Sequence, residues 1–572
     1  MSMKNARLLS LALRLLAAPA AVLVLGAGTI ACDDENEPKT WVKRLDDQAQ
    51  RAKAIERLQQ FFNDGMSKTG NDAAAPEIKA LLDVMVEPLT KTYVAGGLDD
   101  KTRTDLIKLL ADTRDARATP AFAKALKDYE PGKTDDDARF ACSAIDYMAK
   151  NSIKLDQPVI DELWNVFAKF RPSKAKSERL YHAIHDAVLS VHDPSYGDKA
   201  ADKLKEKVAD NVDSKMDQVQ WWQLTSIQVL SELRYVKAVK PLVLVLLTPA
   251  KQDLNAPTRT CLLKMPVVAE IELVKALKGE DPDYVSAGAA YKDKANLAIV
   301  ADTLALISRP NGRDAILAAL PGADTDTTIT GFAQALVQFP EVPNIEPAFL
   351  AAYAKLKWTA SVELMGPLNP KGALGQASAN FYDPALTDWL VKEIGAAPDD
   401  AKMLPLEAAI KVMPAEKKAG VGAALEKAKG ALGDEGYAVY KQMFDLASGA
   451  ADKCTKNVGC YVSLLDDPIG SKPGADYKAI KAAWMAVAYS TDATGAGTRA
   501  ELLKRLDKVK DAGARLALVE GIDELAPKGD TATADALDKI VEADKKSGDR
   551  NLLLADDAVV KVALKLRARA QP

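Results

Sequence analysis

The feature that most constrains this chain is a recurrence. The phrases DDKTRTDLIKLL, DDDARFACSAIDYM, KSERLYHAIHDAVL and APTRTCLLKM repeat one plan: a polar turn, a basic residue, then an apolar stretch stepped at three and four residues. That stepping is the period of an amphipathic helix. Aligning Arg103, Arg139, Arg179 and Arg259 gives gaps of 36, 40 and 80 residues, the last being two periods of 40. The skipped member belongs near residue 219, inside the helical pattern MDQVQWWQLTSIQVLSEL. Towards the C-terminus Lys478, Arg515 and Arg550 continue the series at gaps of 37 and 35. A unit of this size cannot bury its apolar face alone, so consecutive units must stack and share one core. Aromatics are only 6% of the 572 residues. A chain rich in Ala, Leu and Lys favours helix over strand, because these residues lose little on entering a helix.

The first unit, TWVKRLDDQAQRAKAIERLQQFF, predicts two helices with Trp41, Leu45, Ala52, Ile55 and Leu58 on one stripe and Asp46 and Asp47 capping the second helix. The units resemble HEAT repeats: an apolar first helix ending in Leu-Asp-Asp, an acidic turn, then a basic residue opening the second helix. The resemblance implies an all-α fold, an α-solenoid of stacked helix pairs forming a HEAT-like superhelix. It covers 41–310 and 451–572. Between them, 311–450 contains MGPLNPKGALGQASANFYDP, which breaks the rhythm and is expected to be an irregular helical region. An irregular multi-helix bundle is the competing architecture.

The N-terminus reads differently. Lys4, Arg7 and Arg14 precede the uncharged run LLAAPAAVLVL, and small residues follow, the three-part plan of a secretory signal. That run is shorter than the roughly 20 residues a spanning helix needs. TIAC, residues 29–32, resembles the lipobox of bacterial lipoproteins, with Thr29 where Leu is usual. The resemblance implies a signal peptide over 1–31, cleavage before Cys32, and lipidation of Cys32. Two or three acyl chains would hold the protein durably, since each buried methylene contributes about 0.8 kcal/mol. Residues 32–40, with the acidic DDENEP, are then a solvated tether. A cut by ordinary signal peptidase, giving a soluble secreted solenoid, also fits. With no other segment of spanning length, the remaining chain is expected to be soluble.

Formal net charge is −4. No basic surplus exists to neutralise phosphates, so nucleic acid is not an expected partner. Cys454 and Cys460 close the short loop CTKNVGC and are a candidate disulfide in an oxidising compartment, whereas Cys142 and Cys261 sit in apolar helical patterns and read as buried.

His182, His185 and His192 are all the histidines of the chain and lie in YHAIHDAVLSVHD, beside Asp186 and Asp193. Imidazole with carboxylate suits Zn or Fe. The HEAT-like enzyme deoxyhypusine hydroxylase holds iron with His-Glu pairs, but spreads them over several repeats. On one straight helix His192 would lie about 10 Å from His185, too far for one ion. A structural or surface role is therefore expected, with a metal-dependent enzyme at this cluster as the rival. GPLNPKGALG, with Lys371, lacks the order of a phosphate loop, and ADTDTT lacks the Gly and Glu of a calcium loop. No cofactor is expected. In QWWQL, Trp222 falls on the apolar stripe, while Trp221 points about 100° away and is expected to be partly exposed, a candidate partner contact. These features converge on a single-copy, non-enzymatic, lipid-anchored solenoid in a bacterial cell envelope, facing the periplasm or exterior, whose concave face docks an envelope protein.

Overall fold

The computed structural model describes residues 34–172, 178–206, 213–287, 295–339, 344–359 and 369–571. The expected signal peptide and Cys32 lie outside these residues. Among the described residues every regular element is a helix, and none is long and apolar enough to cross a membrane. The chain divides into two compact units between Lys124 and Ala125, within the helix Thr119–Lys127. This is not the division at 310 and 450 that the rhythm of the sequence suggests.

In the first unit, helices Pro38–Lys43, Arg51–Lys68, Pro76–Ala95 and Asp100–Thr113 pack around Trp41, Leu45, Ile55, Leu58, Met85 and Leu106, all buried. Two starting residues are prolines, tolerated there because the first helical N–H has no partner in any case. The expected stripe holds except at Ala52, which is exposed; Ala54 takes the core position. Asp46 and Asp47 do not cap the second helix, which begins later, at Arg51. Asp47 instead accepts from the N–H of Ala49 at 2.9 Å and closes the preceding turn. The next acidic turn behaves as a cap: Asp99 accepts from Thr102 N–H at 3.0 Å.

The second unit is a serial stack of helix pairs. Inner helices pack each on the next, from Asp135–Lys150 and Glu178–Val191 through Asp213–Leu233 and Asn255–Leu263. Polar bonds between neighbouring pairs measure the repeat directly. Tyr196 Oη donates to Ile160 O (2.7 Å, 36 residues apart), His185 meets Gln228 (2.9 Å, 43 apart), Lys240 meets Asp281 (2.8 Å, 41 apart) and Arg505 meets Asp466 (2.6 Å, 39 apart). The spacing seen in the sequence is thus the distance along the chain from one layer to the next. The helix-opening basic residue has a structural use in the C-terminal layers. Arg515 is fully buried, donates to the carbonyls of Leu506 (2.8 Å) and Val509 (3.2 Å), and pairs with Asp544.

The segment 311–450 keeps the stacking plan rather than interrupting it. Helices Asp326–Leu336, Pro370–Ala377 and Met403–Val412 follow one another on the inner side. The phrase that breaks the rhythm holds a short capped helix: Asn369 Oδ1 accepts from Gly372 N–H at 3.1 Å. Lys371 donates to Leu356 O at 3.1 Å and lies 4.7 Å from the Tyr353 ring centre. The long helix Lys418–Cys454 is two antiparallel helices folded at Gly433, whose φ of 67° and ψ of 170° suit glycine. Lys418 and Asp452 would stand about 51 Å apart on a straight helix, yet they form an ion pair at 2.6 Å. Cys454 and Cys460 are bonded at the foot of this hairpin, and Cys142 and Cys261 are free and buried.

Candidate functional site

The stack does not stay open. Seven inner helices, Ala295–Ile307, Asp326–Leu336, Pro370–Ala377, Met403–Val412, Tyr477–Ala488, Ala512–Leu525 and Arg550–Ala570, pack in order, and the last packs on the first. The expected long concave groove is therefore closed into a ring over 295–570. Three cations make the seam. Lys565 Nζ donates to Gln338 O (2.5 Å) and Asp523 Oδ2 (2.5 Å). Arg569 donates to Ser308 Oγ (2.9 Å) and pairs with Asp523 Oδ1 (2.7 Å). Arg309 reaches from the other side to the carbonyl of Gln571 (2.7 Å) and to Glu270 (2.9 Å). Burial holds the Lys565 ammonium below the usual lysine range, against the pull of Asp523.

Closure leaves a central cavity of about 640 Å³, within the size range of ligand pockets. One wall comes from helices Ala295–Ile307, Asp326–Leu336 and Pro370–Ala377 and the turns that follow the last two, and carries Ala298, Ile299, Leu306, Gly331, Val337 and Ala377 with the amides Gln334, Gln338 and Asn380. A Cβ at Gly331 would overlap the Cβ of Ala298, so glycine is what lets these two helices approach. The facing wall, from helices Ala512–Leu525 and Arg550–Ala570, carries Leu516, Val519, Glu520, Asp523, Glu524, Lys561, Val562 and Lys565. Asp302 also lines the cavity and is held by Arg259 and by Gln338 Nε2 at 2.9 Å. A second chamber of about 270 Å³ shares Gln334, Ala377, Asn380 and Glu520 with the first and continues to Glu407 and Lys411.

Trp484 and Tyr382 form part of the ring's interior. Trp484 is buried and donates Nε1–H to Ala379 O at 2.6 Å, and the Tyr382 ring stacks on it at 5.5 Å. Tyr382 has a left-handed backbone, φ 52°, which ends the turn 378–381 and brings its ring to the cavity. Loss of solvent, then Glu520, Glu524 and Asp523, push its hydroxyl well above the ordinary tyrosine value. Burial likewise raises the Glu407 carboxyl, with Lys411 opposing.

The residues singled out from sequence lie elsewhere. Trp221 is buried rather than partly exposed, inside an aromatic cluster with Phe167 (5.0 Å), Phe170 (4.9 Å) and Tyr181 (5.2 Å). A single-stripe reading fails there because helix Asp213–Leu233 is covered by three neighbours, Glu178–Val191, Tyr196–Lys203 and Asn255–Leu263. Trp222 is in the core as expected and donates to Phe167 O at 2.8 Å. The histidines face different neighbours. His185 bonds Asp186 (3.0 Å) and Gln228 (2.9 Å), His192 lies 4.0 Å from Glu232, and His182 meets the edge of Tyr181. Among the described residues no three His, Cys, Asp or Glu side chains gather as metal ligands would. The cavity carboxylates escaped the sequence reading. They fall within one helix that also looks ordinary, and only the ring brings Asp302 and Tyr382 beside them.

No known protein family matches the chain, and no curated protein sequence does. Among solved structures it is similar to importin beta, crystallised in an ammonium sulfate condition, with 9% identity and a TM-score of 0.33 over 93% of this chain and 74% of that one. At that score the likeness adds nothing to an architecture read directly from the helix contacts.

Proposed function

We propose that this protein is a scaffold of the bacterial cell envelope, tethered by lipid on Cys32, that holds a partner polypeptide in its helical array without catalysing a reaction. One observation carries the binding part: the ring cavity keeps Leu516 43% exposed among carboxylates, so an apolar side chain meets open space inside a concave site. A preformed concave cavity that combines apolar side chains with a few polar ones is the usual form of a binding site. The tether rests on the sequence alone, on the basic start, the short apolar run and TIAC at 29–32. The inference from a stacked-helix fold to protein binding is by analogy between architectures.

Two experiments test the two halves. Cys32→Ser should move the protein from the membrane fraction to the soluble fraction; a variant still fractionating with membranes would remove the lipid from the proposal. Affinity capture from native envelope, read by mass spectrometry, should return a stoichiometric protein partner, whereas a chain that recovers only itself contradicts the scaffold role.

A further inference from the structure

We propose that the turn opening the last helix, Arg550–Ala570, rests on an anionic lipid surface, with Leu553 and Leu554 in the interfacial layer and Arg550, Lys546 and Lys508 against the headgroup phosphates. This contact adds to the tether proposed for Cys32 and does not depend on it.

Three observations support it. The first is apolar exposure. Leu554 is 68% exposed, more than any other large apolar side chain among the described residues, and Leu553 beside it is exposed as well. Adjacent positions make this a continuous patch rather than scattered single side chains. The second is charge. Arg550 lies three and four residues before the two leucines and so shares their side of the helix. Lys545 and Lys546 end the preceding helix, Thr531–Ser547, and Gly548, with φ of 65°, turns the chain at once towards Arg550. Lys508 and Lys510 belong to the neighbouring turn, and Lys510 reaches Asp549 at 3.4 Å. Among the described residues Lys508, Lys546 and Arg550 are exposed and have no ion-pair partner. The nearby carboxylates are engaged, Asp549 with Lys510 and with Asn551 N–H (3.1 Å), Asp557 with Lys561 (2.5 Å) and Asp511 with Ala514 N–H (2.8 Å), and Asp507 alone stays exposed without a partner. The third is rigidity. Buried Arg515 donates to the carbonyl of Val509 (3.2 Å) and pairs with Asp544, so one side chain fixes the turn of Lys508 against the turn of Lys546. A surface set in advance loses little freedom on docking. Leucines ringed by cations match a bilayer interface, where acyl chains lie beneath anionic phosphates.

The test is amide hydrogen exchange of the full chain with phosphatidylglycerol vesicles, with phosphatidylcholine vesicles and without lipid. Exchange over 547–554 should be about tenfold slower with phosphatidylglycerol than with phosphatidylcholine, and added salt should shrink the difference. Leu553→Ser/Leu554→Ser and Lys546→Ala/Arg550→Ala should each abolish most of it. Neither should move the thermal midpoint, because these side chains are exposed. Val236 is the control, an apolar side chain 51% exposed elsewhere, and Val236→Ser should leave the difference unchanged. Equal exchange with the two lipids, or protection that survives both double variants, would overturn the proposal. Protection without lipid that grows with protein concentration would also overturn it, in favour of a second copy covering the leucines. The readout is local to 547–554, so Cys32→Ser should show the same difference, and failure of the lipid tether leaves this contact standing.

Discussion

The guanidinium of Arg309 donates to the carbonyl of Gln571 at 2.7 Å, joining residues 262 positions apart. The same side chain holds Glu270, which is buried and also accepts from Gly312 N–H at 2.9 Å. Arg309→Ala removes both roles and leaves Glu270 without its cation. Breaking a buried pair in this way costs about 3 kcal/mol. Amide exchange in Arg550–Ala570 should rise about 100-fold if that cost is local to the seam. Exchange that stays slow there would mean that apolar packing alone closes the ring.

Gly331 against Ala298 offers a packing test on the opposite side of the cavity. Gly331→Ala gains helix propensity, worth about 0.5–1 kcal/mol, but forces two Cβ atoms into overlap. Overpacking of this kind costs about 1–3 kcal/mol, so a lower denaturation midpoint is expected. Combining it with Ala298→Gly should restore much of the loss, and a double-mutant cycle measures the coupling.

Gly433 carries the hairpin. Its backbone lies in a region that side chains strongly disfavour. Gly433→Ala should destabilise by about 1–3 kcal/mol, and the Lys418–Asp452 ion pair should be disrupted with it. Urea titration reads the first effect and proteolysis between 418 and 454 the second.

The Cys454–Cys460 bridge closes a small loop at the foot of the same hairpin. Replacing both cysteines by serine should cost about 2 kcal/mol in the chain-entropy account. Reducing agent should lower the midpoint of the unaltered protein and leave the double variant unmoved.

Asp556 provides a pH test. It sits beside Asp544 on Arg515, and burial, then that second carboxylate, raises its carboxyl above the ordinary aspartate value. Between the ordinary and the raised value the folded protein keeps a proton that the unfolded chain releases, so stability falls as pH rises through that window. Asp556→Asn should remove this slope and stabilise the protein by about 1 kcal/mol at neutral pH. Thermal midpoints from pH 3 to 8 check it, with the two proteins converging at the acid end.

The repeat was legible because every layer solves the same problem, an apolar face and a polar turn, and each solution leaves a local mark such as Arg515 or Asp99. Trp222 and the buried Cys142 and Cys261 followed from the same stripes. Trp221 did not, because a helix covered on several sides has no single outward face. The segment 311–450 looked irregular because its helices are short and rich in Gly and Pro, yet Asn369 and Gly433 supply the cap and the turn that keep it in step. Ring closure left no local mark at all. It depends on the small rotation from each layer to the next, summed over many layers, and on contacts such as Lys565 to Gln338, 227 residues apart.

That closure changes how the molecule must acquire its form. An open array can begin folding anywhere and grow by neighbours, but a seam between Arg309 and Gln571 waits until the intervening layers are aligned. Bringing such distant positions together costs on the order of 5 kcal/mol in chain entropy, which pre-assembled layers reduce by shortening the free path. The final join should therefore be slow and all-or-none, and a flaw in any one of the seven inner helices should be felt at the other side of the circle.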